Sequence, residues 1–530
     1  MSGGPAPKPK HATIQRALAA AKSGLTFVDA RENERSFSFA DLYARARQVA
    51  GALREGGVEK GDRVAIVLPT GVEFMDAFFG ALFAGGVPVP LYPPVRLGRL
   101  DEFHARTARM LETTRPRIVL SDARIGRLLR VRSERVEHGQ PYEDPGAPDD
   151  LALIQFSSGT TVDPKPVALT HANVLANVAA IDTIVPADDA QAGVSWLPLY
   201  HDMGLIGCLL LAVVHPGPLT LIPPELFLAR PALWLRAISR HRATVSVAPN
   251  FAYGLCARRI RDEELVGVDL SSWRFALNGA EPVAPGVLRR FADRFARWGF
   301  RSEALMPVYG LSEASLAVTF TPPGRGARTL KEGNRELASV GAPLPGVDVE
   351  VREDRIFVRG PSVMRGYFGD REASEAALDD GWLDTGDLGF IEAGELFVSG
   401  RAKDVIIVAG RNHAPQEFED ALDGLPGVRP GCAVAVGRTG EEGEELILLV
   451  ERNGDDLVAD AISGRVVERT GVRPHAVRLL EPGTLPRTSS GKLRRAEALR
   501  QLERGELRPP DKVTLLHLAK EVARSALRRT

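Results

Sequence analysis

Between residues 38 and 91 the hydrophobic period changes from helical to strand-like and back, and that alternation leaves few architectures open. Ser38 can cap a helix whose apolar positions Leu42, Ala46, Val49 and Leu53 share one face, and Gly56-Gly57 ends it. Residues 63–68 (RVAIVL) form a short, nearly continuous apolar run, the kind that is buried on both faces of a sheet. The pattern predicts a helix over 72–83, a strand over 87–91, and further strands over 117–120, 243–248 and 273–278. Strands buried on both faces need helices on either side, so the expectation is an α/β fold with mainly parallel sheets.

At 530 residues the chain exceeds one ordinary core. Residues 1–10, rich in Gly, Pro and Lys, are expected to be disordered. A large domain over 11–402 should hold two α/β subdomains plus a small β-barrel-like part. The latter begins near Val347, where Val347, Val349 and Val351 alternate with Asp348, Glu350 and Arg352 and residues 355–358 form the partner strand. Residues 130–150 read as an exposed connection. Residues 403–404 would be a hinge to a small mobile C-terminal α+β domain over 405–507, with strands at 433–436 and 446–451 and helices at 417–422 and 492–503. A helical tail over 508–530 would follow. Lys and Arg number 67 against 68 Asp and Glu, which gives no electrostatic reason to expect nucleic acid or an anionic membrane. The apolar stretch 78–95 is interrupted by four prolines and 203–214 is too short to span a bilayer, so no transmembrane segment is expected. Cys208, Cys256 and Cys432 lie far apart, as in a reduced cytoplasmic protein without structural zinc.

Ser157-Ser158-Gly159-Thr160-Thr161 follows the apolar run 151–156 and is closed by Pro164-Lys165. Glycine permits close backbone approach, the hydroxyls donate, and lysine offsets charge, which is what a triphosphate needs. Alone, such a cluster is usually a plain loop. It is followed in order by Tyr200-His201-Asp202-Met203-Gly204, Asn278-Gly279-Ala280-Glu281-Pro282, Tyr309-Gly310-Leu311-Ser312-Glu313, Asp384-Thr385-Gly386-Asp387, Gly400-Arg401-Ala402-Lys403-Asp404 and Leu485-Pro486-Arg487-Thr488-Ser489-Ser490-Gly491-Lys492. With that set the chain resembles the adenylate-forming superfamily of acyl-CoA synthetases, peptide-synthetase adenylation domains and luciferases over nearly its whole length. Residues 88–94 (PVPLYPP), 194–207, 248–253 and 410–416 are most similar to fatty acyl-AMP ligases.

The resemblance implies ATP and Mg²⁺. Ser157, Ser158, Gly159, Thr160, Thr161 and Lys165 would hold phosphates. Tyr309 would stack on adenine, with Gly310 beside it and Asn278, Gly279, Ala280 and Glu281 alongside the base. Ser312 and Glu313 would hold Mg²⁺ and phosphates, a hard cation wanting carboxylate oxygen. Asp387 would accept from both ribose hydroxyls, Arg401 would contact ribose or phosphate, and Lys403 would sit at the hinge. Lys492, with His201 and Glu313 as further catalytic groups, would bridge substrate carboxylate and α-phosphate, where positive charge is needed as the two anions meet.

Amino-acid activators of the superfamily place an acid after the aromatic residue where this chain has His201, and a buried ammonium without a partner costs roughly 3–5 kcal/mol. Residues 203–211 are either a core helix or the apolar wall of an acyl pocket. A fatty acid is the expected substrate and an acyl carrier protein acting in trans the expected acceptor, no carrier domain being read after Arg508. Three features depart from the resemblance: Val162-Asp163 and Pro166 in the phosphate loop, and a short segment between Glu313 and Gly341 where fatty acyl-AMP ligases usually carry an insertion that disfavours coenzyme A. Fatty acyl-CoA ligase and a non-catalytic acyl or nucleotide binder are the alternatives.

Overall fold

The computed structural model describes residues 1–94, 100–157, 164–185, 191–215, 217–332, 335–408, 411–440, 443–454, 458–488 and 492–510. The first helix read from the pattern is Phe39–Glu55, and Ser38 caps it in a reciprocal box with Asp41. The helix Val72–Phe83 and the strands Arg63–Val67, Val87–Pro90 and Ile118–Ser121 follow as expected, the three strands forming a parallel sheet.

A nine-stranded sheet carries the rest of the large α/β body. Its central run is parallel, in the order Leu305–Gly310, Phe275–Asn278, Val245–Ala248, Gly193–Ser195, Leu219–Leu221 and Gly24–Val28. Antiparallel strands close both edges: Glu34–Ser38 on one, Ala317–Phe320 and Ala342–Pro343 on the other. The alternating valines after Val347 form the strand Asp348–Arg352, paired with Arg355–Arg359 in a five-stranded antiparallel sheet. Val349 is buried and Glu350 exposed, as period two requires.

Beyond Lys403 the buried hydrophobic residues form clusters of their own, drawn from 406–498, that share no member with the clusters before 396. Here Val428–Gly440, Gly443–Arg452 and Ala476–Leu480 make a sheet covered by the helices Pro415–Ala421, Ala459–Thr470 and Arg495–Glu503.

Three local expectations differ. Residues 1–10 are not without structure: the terminal ammonium donates to the Val349 carbonyl at 2.5 Å and Gly3 N–H to Val347 at 2.8 Å, because the edge of that antiparallel sheet offers open backbone groups. The last helix starts at Arg495, not at Lys492. The Thr488 N–H donates to the Lys492 carbonyl at 2.7 Å and the Lys492 N–H to the Thr488 hydroxyl at 3.0 Å, which holds Lys492 in an extended approach. Of the tail 508–530, residues 508–510 are not helical and 511–530 lie outside the described residues. No helix among the described residues is long and apolar enough to cross a membrane.

The strand Leu305–Gly310 ends where an added Cβ on Gly310 would sit 1.8 Å from the Leu316 carbonyl oxygen, so only glycine lets the neighbouring turn close over it. Gly310→Ala should therefore force the two strands apart and lower stability by about 1–3 kcal/mol, read as a shifted urea midpoint.

Candidate active site

That turn sets the stage. Tyr309 leaves the strand on one side, and Ser312–Ala314 forms a short 3₁₀ turn carrying Ser312 and Glu313 on the other. The chain then returns through Ser315, whose hydroxyl donates to the Ser362 carbonyl at 2.7 Å. A cavity of about 660 Å³ opens in front of them. Ser157, Lys165, His201, Ala280, Tyr309, Gly310, Ser312, Glu313, Arg401, Lys403 and Lys492 all line it. Residues scattered over more than 300 positions of sequence thus meet in one place.

Asp202 organises the wall. Its carboxylate takes His201 Nδ1 at 2.5 Å on one oxygen and the Ser312 hydroxyl on the other. Burial would raise this carboxyl, yet the adjoining His201, the Ser312 hydroxyl and Lys492 together hold it well below the usual carboxylate range. His201 Nε2 is left buried with no hydrogen-bond partner among the described residues. The ring therefore presents a polar atom to whatever enters.

Lys492 reaches this wall from the C-terminal unit. Burial pushes its ammonium below the ordinary lysine value, while Asp202 and Glu281 oppose the shift. Burial likewise raises the Glu313 carboxyl, whose Oε1 accepts from the Tyr367 hydroxyl at 3.1 Å. The Lys165 ammonium lies 4.4 Å from the centroid of the same tyrosine ring, a cation–π contact. Lys403 is lowered by burial and then by Arg401. The cavity thus gathers Lys165, Arg401, Lys403 and Lys492 together with the carboxylates of Asp202 and Glu313.

Asp387 lies just behind this surface and does not line the cavity. Arg401 Nε sits 2.9 Å from one of its oxygens and the Tyr309 hydroxyl donates to the other at 2.7 Å. The Thr-Gly-Asp turn is braced from below: Arg355 pairs with Asp384 at 2.5 Å, and Thr385 donates to the Ile356 carbonyl at 2.8 Å. Gly386, at φ 69°, supplies the left-handed residue the turn needs.

Asn278, Gly279 and Glu281 also stay behind the wall. The Glu281 carboxylate accepts from the Phe251 N–H at 2.5 Å, at the start of the helix Asn250–Arg259, where a negative charge is favoured. Asn278 Nδ2 donates to Asn250 at 3.2 Å. Their positions fix the turn that brings Ala280 to the surface, at φ 70°. Ser158, Gly159, Thr160 and Thr161, with Val162 and Asp163, lie outside the described residues. Pro166 opens the strand Pro166–Thr170, where a missing N–H costs least, and its carbonyl still accepts from Phe368 at 2.7 Å.

Two residues carry more of the site than sequence reasoning assigned them. Asp202 is one, detectable as a charge beside His201 at the head of an apolar run. Tyr367 is the other, and nothing local marks it: it reaches Glu313 only because the strand Gly366–Tyr367 pairs with Pro166–Thr170.

Mg²⁺ takes one or two carboxylates plus substrate phosphates rather than a protein cage. Glu313, with the Ser312 hydroxyl on the same turn, fits that donor set, and no group of three or more acidic, His or Cys side chains that could hold a metal ion occurs among the described residues.

Comparison with known proteins shows the family. The family of AMP-binding enzymes matches residues 15–368. A Caulobacter vibrioides (strain NA1000 / CB15N) protein with a provisional acyl-CoA synthetase name is 35% identical, over 92% of this chain and 94% of its own. The medium-chain-fatty-acid–[acyl-carrier-protein] ligase JamA of Moorena producens (strain JHB) is 33% identical, over 90% and 91%. A solved structure from work on fatty acyl-adenylate ligases of E. coli and L. pneumophila has a TM-score of 0.88 and 33% identity, covering 94% of this chain and 99% of that one. The resemblance carried by the ordered motifs is thereby borne out, and the chain belongs to the AMP-binding enzyme family.

Proposed function

We propose that this chain joins a fatty acid to AMP, releasing pyrophosphate from ATP, and then hands the acyl group to the phosphopantetheine thiol of an acyl carrier protein acting in trans. The observation that carries the reading is the entry of Lys492 into the cavity that His201, Asp202, Lys165, Arg401 and Lys403 also line.

The chemistry brings a carboxylate oxygen onto the α-phosphorus, anion against anion. Lys492 is set to neutralise both where they meet, and in a site shielded from water such a charge is worth far more than in bulk. His201, its Nδ1 held by Asp202, lines the cavity beside Lys492 where the substrate carboxylate would lie. Lys165 and the Ser157 hydroxyl take terminal phosphates, and Ser158, Gly159, Thr160 and Thr161 would complete that loop. Arg401 takes ribose or phosphate. Tyr309 stacks on adenine with Gly310 beside it, along the turn formed by Asn278, Gly279, Ala280 and Glu281. Asp387 receives ribose hydroxyls once the Tyr309 hydroxyl swings away from it. Glu313 and Ser312 would hold Mg²⁺, which would supply positive charge to the phosphates. The unit after the 403–404 hinge then rotates, withdrawing Lys492 and admitting the thiol.

A fatty acid suits the remaining lining. Both oxygens of Asp202 are already engaged, so a substrate α-ammonium would be left unpaired there. Each methylene buried along the apolar wall contributes about 0.8 kcal/mol. The carrier as acceptor is supported by the name of the JamA relative, and coenzyme A is the second reading, favoured by the Caulobacter relative. The unpaired thiols of Cys208, Cys256 and Cys432 suit a reducing cytoplasm.

Lys492→Ala should lower fatty-acid-dependent ATP–pyrophosphate exchange by about 100-fold or more. Exchange at the wild-type rate would overturn the assignment, and efficient acyl-CoA formation by mass spectrometry would overturn the carrier as acceptor. The pH profile gives a second check. The charged Lys492 is the active form and its ammonium lies below the ordinary 10.5, so kcat/KM for exchange should fall on an alkaline limb centred under that value. A flat profile up to that pH would contradict it.

A further inference from the structure

The cavity runs well past the reacting centre. Helical turns over 202–214, with the wider π spacing across Leu205–Leu210, present Met203, Gly207, Cys208, Leu211, Ala212 and His215 to it. Steps of four to five residues keep all six on one face, so the channel follows this element from His201 to His215. At the helical rise of 1.5 Å per residue that is about 20 Å.

The far end is not apolar. His215 is only 8% exposed in its side chain, and its Nδ1 lies 2.5 Å from Asp182 Oδ1. The other Asp182 oxygen takes the Lys10 ammonium at 2.6 Å. Burial would raise the Asp182 carboxyl, but His215 and Lys10 hold it below its ordinary value, so it is anionic. With Nδ1 taken up by Asp182, Nε2 is the polar ring atom left to face the cavity. That Nε2 is buried and has no hydrogen-bond partner among the described residues. Gly217 closes this end. Its N–H donates to the His215 carbonyl at 2.8 Å, and a Cβ on it would lie 2.6 Å from the Gln191 carbonyl oxygen.

A channel built only for a methyl terminus would not hold an unsatisfied imidazole against it, because an orphaned buried polar atom is costly. We propose that His215 Nε2 hydrogen-bonds a hydroxyl at or near the distal end of the acyl chain, which makes hydroxylated fatty acids the substrate class of this site. The inference rests on the fatty-acid activation reading above. Asp182 and Lys10 act here as positioning residues that hold the ring.

The test is ATP–pyrophosphate exchange by the full chain on two ladders, saturated fatty acids and their ω-hydroxy counterparts of equal length. At one length the hydroxy acid should exceed its saturated partner in kcat/KM by about tenfold or more, since a site built to bond a hydroxyl discriminates against its absence. The preference should fade on either side of that length because His215 is fixed. His215→Leu should reverse it, mainly through KM, while saturated acids are still activated. Saturated acids winning at every length in the wild type would overturn the role of His215 and leave activation standing. The same result would follow if a buried water already satisfies Nε2. No exchange with either ladder would overturn both readings. If His215→Leu does not fold, the wild-type ladders still decide.

Discussion

The site depends on one carboxylate. Asp202 binds His201 through one oxygen and Ser312 through the other, and the ammonium of Lys492 lies within its field. Those three groups come from the head of the 202–214 element, from the turn after Leu305–Gly310, and from the C-terminal unit. A cavity that gathers several cations repels itself unless anions are built in behind it, and a buried anion persists only when paired. Asp202 and Asp387 meet both conditions, each bonded on both oxygens. Glu313 is different. It accepts from the Tyr367 hydroxyl and forms no ion pair among the described residues, and burial raises it, which suits the proposed role of meeting an incoming cation.

The same charges explain why the C-terminal unit sits where it does. Arg494, two residues beyond Lys492, is 1% exposed and bonds Glu102 at 2.9 Å, on the helix Leu100–Thr114 of the large part. Arg495 beside it holds Glu419 in two parallel bonds within the unit and lies 3.7 Å from Asp404, within the proposed hinge. Successive residues thus point one arm at the large part and one at the small, so the segment that delivers Lys492 is anchored to both. Rotation that withdraws Lys492 must also break the pair with Glu102, a link between charges that is worth little once water reaches it.

Much of this was legible in the sequence for a physical reason. Helix Phe39–Glu55 and the strands around Arg63–Val67 are specified locally, by period and by the Ser38 cap, so their limits fall within a residue or two of expectation. The order of motifs named the groups that line the cavity. What could not be read was depth. Asp387 and Glu281 are as well placed in sequence as Tyr309, yet they lie behind the wall, because whether a turn residue faces inward depends on what packs over it. Tyr367 and Arg494 were invisible for a related reason, their partners Glu313 and Glu102 being supplied by distant segments. Residues 1–10 looked disordered by composition, but an open sheet edge holds their first residues by backbone bonds that no side chain announces.

The 202–214 element shows how an apolar run can hold both a core role and a site role. Leu205, Leu209 and Leu210 are buried against the body, while the opposite face borders the channel. Close packing requires small residues at its contacts: a Cβ on Gly204 would lie 2.3 Å from the Pro198 carbonyl oxygen and one on Gly207 2.7 Å from the Leu316 side chain. The element also carries a histidine at each end. His201 leans on Asp202 and His215 on Asp182, each through Nδ1 at 2.5 Å, and each leaves a buried Nε2 without a partner among the described residues. A carboxylate behind an imidazole fixes which nitrogen is offered forward. With that arrangement at both ends and only apolar surface between, the element measures a ligand by two polar groups held a set distance apart.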